Sequence, residues 1–86
     1  MKLARTERFD RAYQQLSPED RKATQKAIRL LEADMRHPSL QVKRIQGAPD
    51  IWEARVNLRC RMTFRLDNET ILLRTVGEHD ATLKKP

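Results

Sequence analysis

The chain has 86 residues, a formal net charge of +6, 35% charged residues and 38% hydrophobic ones. That length suits one domain, residues 1–86, with a modest core. The longest apolar run, Ile71-Leu72-Leu73, is far too short to cross a bilayer, so no membrane partner is expected. Cys60 is the only cysteine, which excludes an internal disulfide. With no apolar leader at the start of the sequence, a cytoplasmic location is expected. Twelve of the 18 basic residues are arginine, and its planar fork grips phosphate and stacks on bases better than lysine does. The charge therefore favours a nucleic acid or an acidic protein as partner without choosing between them.

In chain order, residues 2–5 read as a short first strand. Thr6 is a helix cap with Glu7 in the first turn, and Phe9, Ala12, Tyr13 and Leu16 follow at i, i+3, i+4 and i+7 on one helical face. Tyr13 is thereby placed in the helical core. Ser17-Pro18-Glu19-Asp20 starts a second helix with a serine cap, a proline at the first position and acids against the dipole. Its buried stripe is Ala23, Ala27, Leu30, Leu31 and Met35, and His37-Pro38 ends it after Arg36. With almost no linker between them, the two helices should form an antiparallel hairpin over about residues 6–36.

The second half changes to period two. Trp52, Ala54 and Val56 alternate with Glu53, Arg55 and Asn57. Cys60, Met62, Phe64 and Leu66 alternate with Arg59, Arg61, Thr63 and Arg65. Ile71, Leu73 and Thr75 alternate with Leu72, Arg74 and Val76. Three such segments predict three strands within about residues 42–77. Gly47-Ala48-Pro49-Asp50 reads as a loop before them, and Asp67-Asn68 as the last turn. A loop of Asn57-Leu58-Arg59 pairs Val56 with Cys60, Ala54 with Met62 and Trp52 with Phe64. It keeps one face apolar, whereas a two-residue loop mixes arginines into that face. The fold class is thus α+β: a β-α-α-β-β-β order, with the helical hairpin on one face of a small, mainly antiparallel twisted sheet and a C-terminal tail over 78–86.

The opposite face is expected to carry Arg55 beside Arg61, with Arg65 and Arg74 near and Arg59 at the turn. Glu53 is the one acid among them. Like charges across a sheet repel, so an anionic ligand would offset a cost the fold otherwise bears. His79 follows the last strand between Glu78 and Asp80. Histidine suits taking a proton from a ribose 2′-OH or giving one to a leaving 5′-oxygen. The other reading is a surface histidine in a tail. Glu53 is either a general base or the partner that holds Arg55 or Arg61. His37 reads as a cap or surface residue, Trp52 as core, and Cys60 as inert core. One cysteine and two distant histidines offer no metal-ligand spacing.

Residues Lys43 to Leu83 resemble the RelE-like branch of the RelE/ParE toxin superfamily. The stretch Arg44-Ile45-Gln46-Gly47-Ala48-Pro49-Asp50-Ile51-Trp52-Glu53-Ala54-Arg55-Val56 carries the resemblance. Arg61-Met62-Thr63-Phe64-Arg65-Leu66 and Val76-Gly77-Glu78-His79-Asp80 continue it. The resemblance implies a type II toxin acting as a ribosome-dependent messenger-RNA endonuclease, with 2′-OH attack leaving a 2′,3′-cyclic phosphate and no cofactor or metal. Arg61 falls where the family places its transition-state arginine, His79 where YafQ-like members carry histidine, and Arg55 where a basic strand residue is usual. These three are the catalytic candidates; Arg59, Arg65, Arg74, Lys43 and Arg44 are candidate phosphate contacts. Glu53 departs from a basic residue of the family, and Leu83 lies near the place of a C-terminal aromatic. The partners implied are a cognate acidic antitoxin, the ribosomal A site and messenger RNA. Operator DNA enters only through the antitoxin, whose disordered segment would order across the basic surface or displace the tail. Two other readings remain: a ParE-like gyrase inhibitor without nuclease activity, and an inactive relic that binds antitoxin as a co-repressor.

Overall fold

In the computed structural model, which describes residues 1–86, strand β1 (Lys2–Arg5) ends at Thr6. The Thr6 hydroxyl accepts from Phe9 N and opens helix α1 (Glu7–Gln14). Ser17 repeats the device for α2 (Pro18–Ala33): its Oγ accepts from Asp20 N, and Pro18 occupies a first-turn position that needs no amide hydrogen. Helix α2 stops at Ala33, short of the predicted Arg36. Asp34 turns to extended backbone, and its Oδ1 accepts from Arg36 N. Such a local bond competes with a further helical turn. A 3-10 turn at Pro38–Leu40 then drives Leu40 into the core.

Strands β2 (Lys43–Ile45), β3 (Ala48–Arg55), β4 (Cys60–Asp67) and β5 (Thr70–Glu78) complete a five-stranded sheet in the order β1-β5-β4-β3-β2. It is antiparallel except for the β1–β5 pair. The sequence pattern predicted one strand fewer and a loop over Gly47–Asp50. Strand β2 is too short to display a period. Gly47, at φ +87°, makes the turn, so that Ala48 already pairs with Ile45. The register slips between Arg44 and Ile45, which lets Pro49 sit in a strand without interrupting a regular ladder.

The predicted β3–β4 register holds: Trp52 faces Phe64, Ala54 faces Met62, and Val56 N donates to Cys60 O across Asn57–Arg59. The apolar face so formed meets Phe9, Ala27, Leu31 and Leu40 in one core with Ala54, Met62, Phe64, Ile71, Leu73 and Val76. The helical stripe differs in detail. Thr24 is fully buried, its hydroxyl satisfied by Asp20 O, whereas Ala23, Leu30 and Met35 are only half-buried. Tyr13 is also half-buried, with its hydroxyl accepting from Gln25 Nε2.

A β-bulge corrects the reading of the last strand. Phe64 pairs with Leu73 but Thr63 pairs with Thr75, leaving Arg74 as the extra residue. Beyond it the alternation inverts: Val76 joins the core opposite Met62, and Thr75 turns to the other face beside Thr63. The Thr6 hydroxyl donates to Arg74 O while accepting from Phe9 N, so one side chain caps α1 and ties it to the bulge. The segment expected as a C-terminal tail is also structured. Helix α3 (His79–Lys84) is capped by Glu78, whose carboxylate accepts from Asp80 N and Ala81 N. It packs on the face away from α1 and α2. Thr82 is buried so close to Gly77 that a Cβ there would lie 3.0 Å from Thr82 Oγ1. Thr63 Oγ1 and Arg74 Nε both donate to the Pro86 main-chain oxygen. No helix is long and apolar enough to cross a membrane.

Thr6→Ala should lower unfolding free energy by about 1–2 kcal/mol, with Thr6→Ser retaining most of it; urea denaturation checks this. Burial pushes the Cys60 thiol up to about 11, and the Asp20 carboxylate alongside adds to the effect. At pH 8 the folded protein should hold roughly a thousandth of that sulfur as thiolate. Alkylation by iodoacetamide should therefore be slow until urea unfolds the chain.

Candidate functional site

The face of the sheet away from the helical hairpin is arranged in cross-strand rows. One row runs Lys43, Glu53, Thr63 and Thr75; a second runs Arg55, Arg61 and Gly77; a third runs Ile51, Arg65 and Leu72. Arg55 and Arg61 are direct partners, as the alternation predicts. Their repulsion is relieved from one side only. Arg61 Nε lies 3.9 Å from Glu53 Oε1, with only 16% and 9% of the two side chains exposed. Arg55 and Arg65 have no ion-pair partner within the chain. Of the two arginines, Glu53 thus stands against Arg61.

Arg61 is gripped from the loop side as well. Its Nη1 donates to Asn57 O at 2.8 Å and to Cys60 O at 3.0 Å. These bonds at Nη1 and the Glu53 contact at Nε hold the planar group from two sides and leave Nη2 uncommitted, a fixed donor of the kind that stabilises a developing anion.

His79 is the first residue of α3, and its main-chain N donates to Arg59 O at 2.8 Å. The next pairs in the ladder are Cys60–Glu78 and Arg61–Gly77, so His79 and Arg61 stand two residues apart at the same end of adjacent strands. The ring is 44% exposed, and its Nδ1 lies 2.9 Å from Asp80 Oδ1. An ionised carboxylate only accepts, so Nδ1 carries the hydrogen, and in the neutral ring Nε2 has the lone pair. That arrangement suits a proton acceptor with an orienting acid behind it.

The other candidate residues divide. Arg59 stays at the turn and pairs with Asp20 at 3.1 Å. Arg65 and Lys43 remain exposed on the arginine side. Arg44 does not join them. It is paired with Trp52 on the helical side, with its guanidinium carbon 5.0 Å from the indole centroid. Arg74, released from the ladder by the bulge, spends its Nε on the Pro86 oxygen and so anchors the segment after α3. A hollow of about 560 Å³ lined by Met35, Arg36, His37, Pro38, Gln41, Val42 and Trp52 lies on the helical side, remote from Arg61 and His79. Trp52 is half-buried there rather than fully in the core. His37 caps the 3-10 turn, its Nδ1 accepting from Ser39 N. No cluster of three or more His, Cys, Asp or Glu side chains occurs. The sequence reading missed the supporting groups: the Asn57 and Cys60 carbonyls that hold Arg61, and Thr63 beneath the last residues. Main-chain acceptors leave no mark in residue identity, and Asn57 was legible only as a turn former.

Comparison with known proteins bears on the fold. No protein-family model and no curated protein sequence matches the chain. Solved structures do. The YoeB/ParE toxin of Agrobacterium tumefaciens superposes with a TM-score of 0.76 at 16% identity, covering 92% of this chain and 99% of its own. YafQ from Escherichia coli gives 0.78 at 12% identity, covering 93% and 94%. The RelB-RelE antitoxin-toxin complex of Methanococcus jannaschii contains a chain that gives 0.76 at 16% identity, covering 96% and 99%. In overall fold, the helical hairpin on a mainly antiparallel sheet is therefore shared with these solved RelE/ParE-type toxins.

Proposed function

We propose that the chain is the toxin of a type II toxin-antitoxin pair and cleaves messenger RNA in the ribosomal A site. The observation that carries this reading is the placement of a clamped arginine, Arg61, and a carboxylate-backed histidine, His79, two register positions apart at one end of an arginine-rich face. In the step proposed, His79 Nε2 accepts the proton of a ribose 2′-OH. The 2′-oxygen attacks the adjacent phosphorus, the bond to the 5′-oxygen breaks, and the departing oxygen takes a proton from solvent. The products are a 2′,3′-cyclic phosphate and a 5′-hydroxyl. Arg61 bears on the charge that builds on the non-bridging oxygens, and Arg55 stands beside it as the second basic group. Arg59, Arg65 and Lys43 suit contacts to flanking phosphates, which set affinity rather than sequence.

An acidic antitoxin is the partner that fits the same surface. Arg55 and Arg65 carry unpaired charge there, and a disordered acidic segment could order upon them. Solved relatives of this fold occur in complexes with their antitoxins, as in the RelB-RelE and DinJ-YafQ structures. A gyrase-poisoning activity is the competing reading. It is favoured by Leu83, which departs from the terminal aromatic of the nucleases. Translation extracts and gyrase assays separate the two: codon-internal cuts mapped by primer extension support the first, and stalled gyrase with intact RNA supports the second.

His79→Gln should reduce cleavage about a hundredfold or more with an unchanged thermal midpoint, measured on a defined message in a translation extract. Arg61→Ala should lower kcat by about 10²–10³-fold and ribosome binding far less. Because Arg61→Ala leaves Glu53 nearly buried without its partner, Arg61→Ala should also destabilise the fold. Adding Glu53→Gln should restore stability without restoring activity.

A further inference from the structure

Asp20 lies on the helical side of the sheet, yet it is wired to both residues of the candidate site. A first-turn acid that served only the helix dipole would project into water. Asp20 instead leaves only 14% of its side chain exposed and points into the β3–β4 loop. Its Oδ1 accepts from Asn57 Nδ2 at 2.8 Å and from Arg59 Nη2 at 3.1 Å. The Asn57 hydrogen bond, aided by Arg59, holds the Asp20 carboxyl below its usual range against the opposing cost of burial. The backbone beneath it is pinned twice: Asp20 N donates to Ser17 Oγ, and Asp20 O accepts from Thr24 Oγ1. The carboxylate is therefore a fixed point, set by the helix start.

The loop transmits that position. Asn57 Oδ1 accepts from Arg59 N at 3.0 Å and Cys60 N at 2.9 Å, closing the turn around one side chain. The main-chain oxygens of the same turn reach both candidate residues. Asn57 O and Cys60 O receive Arg61 Nη1, and Arg59 O receives His79 N. One side-chain amide thus joins the α2 carboxylate to the turn that leads into the Arg61 strand and that receives the His79 main-chain N.

We propose that Asp20 and Asn57 are positioning residues that set the orientation of the Arg61 guanidinium from the opposite side of the sheet. Neither touches the substrate. Their consequence for catalysis rests on the RNA-cleavage reading, whereas their consequence for the placement of Arg61 does not.

The test uses the full chain and reads the arginine directly. In the folded protein, the Arg61 Nε–H resonance should exchange slowly with water, because the group is nearly buried and held on two sides. Asp20→Ala, shown to be folded by the dispersion of its core methyl signals, should speed that exchange by about tenfold or more and cut kcat by a similar factor. KM should change by less than about twofold, since the phosphate contacts remain. Asp20→Asn, which keeps the shape and one acceptor, should recover part of both effects, and it carries the comparison if the alanine variant does not fold. Asn57→Ala should reproduce the Asp20→Ala result. Unchanged Arg61 exchange in the folded variants overturns the proposal, as does a loss confined to KM. Wild-type protein that cuts no RNA defeats the functional reading instead, and the exchange measurement still decides the positioning role.

Discussion

The β3–β4 loop turns through Asn57–Arg59, and its length governs which side of the sheet each later side chain takes. Side chains alternate with period two, so one residue more or less would send Met62 and Phe64 into water and bring Arg61 and Arg65 under the helices. Both outcomes are costly: fully buried apolar groups would lose about 1.5–3 kcal/mol each, and unpaired charges would have to be desolvated. The loop is locked accordingly, by Asn57 within it and Asp20 from outside. Separation of a helical core from a basic face follows from this one connection.

A second constraint is the charge that the register concentrates. Arg55 and Arg61 face each other directly, and the three rows that run through Thr63, Arg61 and Arg65 contain a single acid, Glu53. The sheet tolerates this by treating its arginines differently. Arg61 is nearly buried and shared between a carboxylate and two loop carbonyls, whereas Arg55 and Arg65 keep their charges unpaired. A held guanidinium among free ones separates two tasks: the free groups attract an anionic chain over distance, and the held one presents a donor in a set direction without reorganising.

The bulge at Arg74 and helix α3 shape the far end of that face. Without the bulge, Thr75 would enter the core and Val76 would lie exposed. With it, Val76 packs against Met62, and Thr75 lies under α3. Thr6 fastens the bulge to the start of α1, while Arg8 donates to Lys85 O and so joins α1 to the segment after α3. His79 is consequently not the end of a loose tail. It stands at a helix start held by Arg59 O, with Asp80 against its ring.

Local sequence determined the elements that local physics suffices to build. Thr6, Ser17 and Pro18 mark helix starts because caps act within one turn. The alternation from Trp52 to Leu66 marks two strands and their register because only one loop length leaves an unbroken apolar face. The Arg55–Arg61 pair was legible for the same reason. Tertiary structure decided what depends on groups distant in the chain. Strand β2 exists because β3 offers it a ladder, and Arg44 leaves the basic face because the pairing of Lys43 with Glu53 sets Arg44 over Trp52. The bulge at Arg74 answers to a threonine 68 residues away. Asp20 meets Asn57 across 37 residues. No pattern of period two or 3.6 encodes such meetings, because they arise from how packed layers approach one another, and a residue's own neighbours in sequence contain no record of that approach.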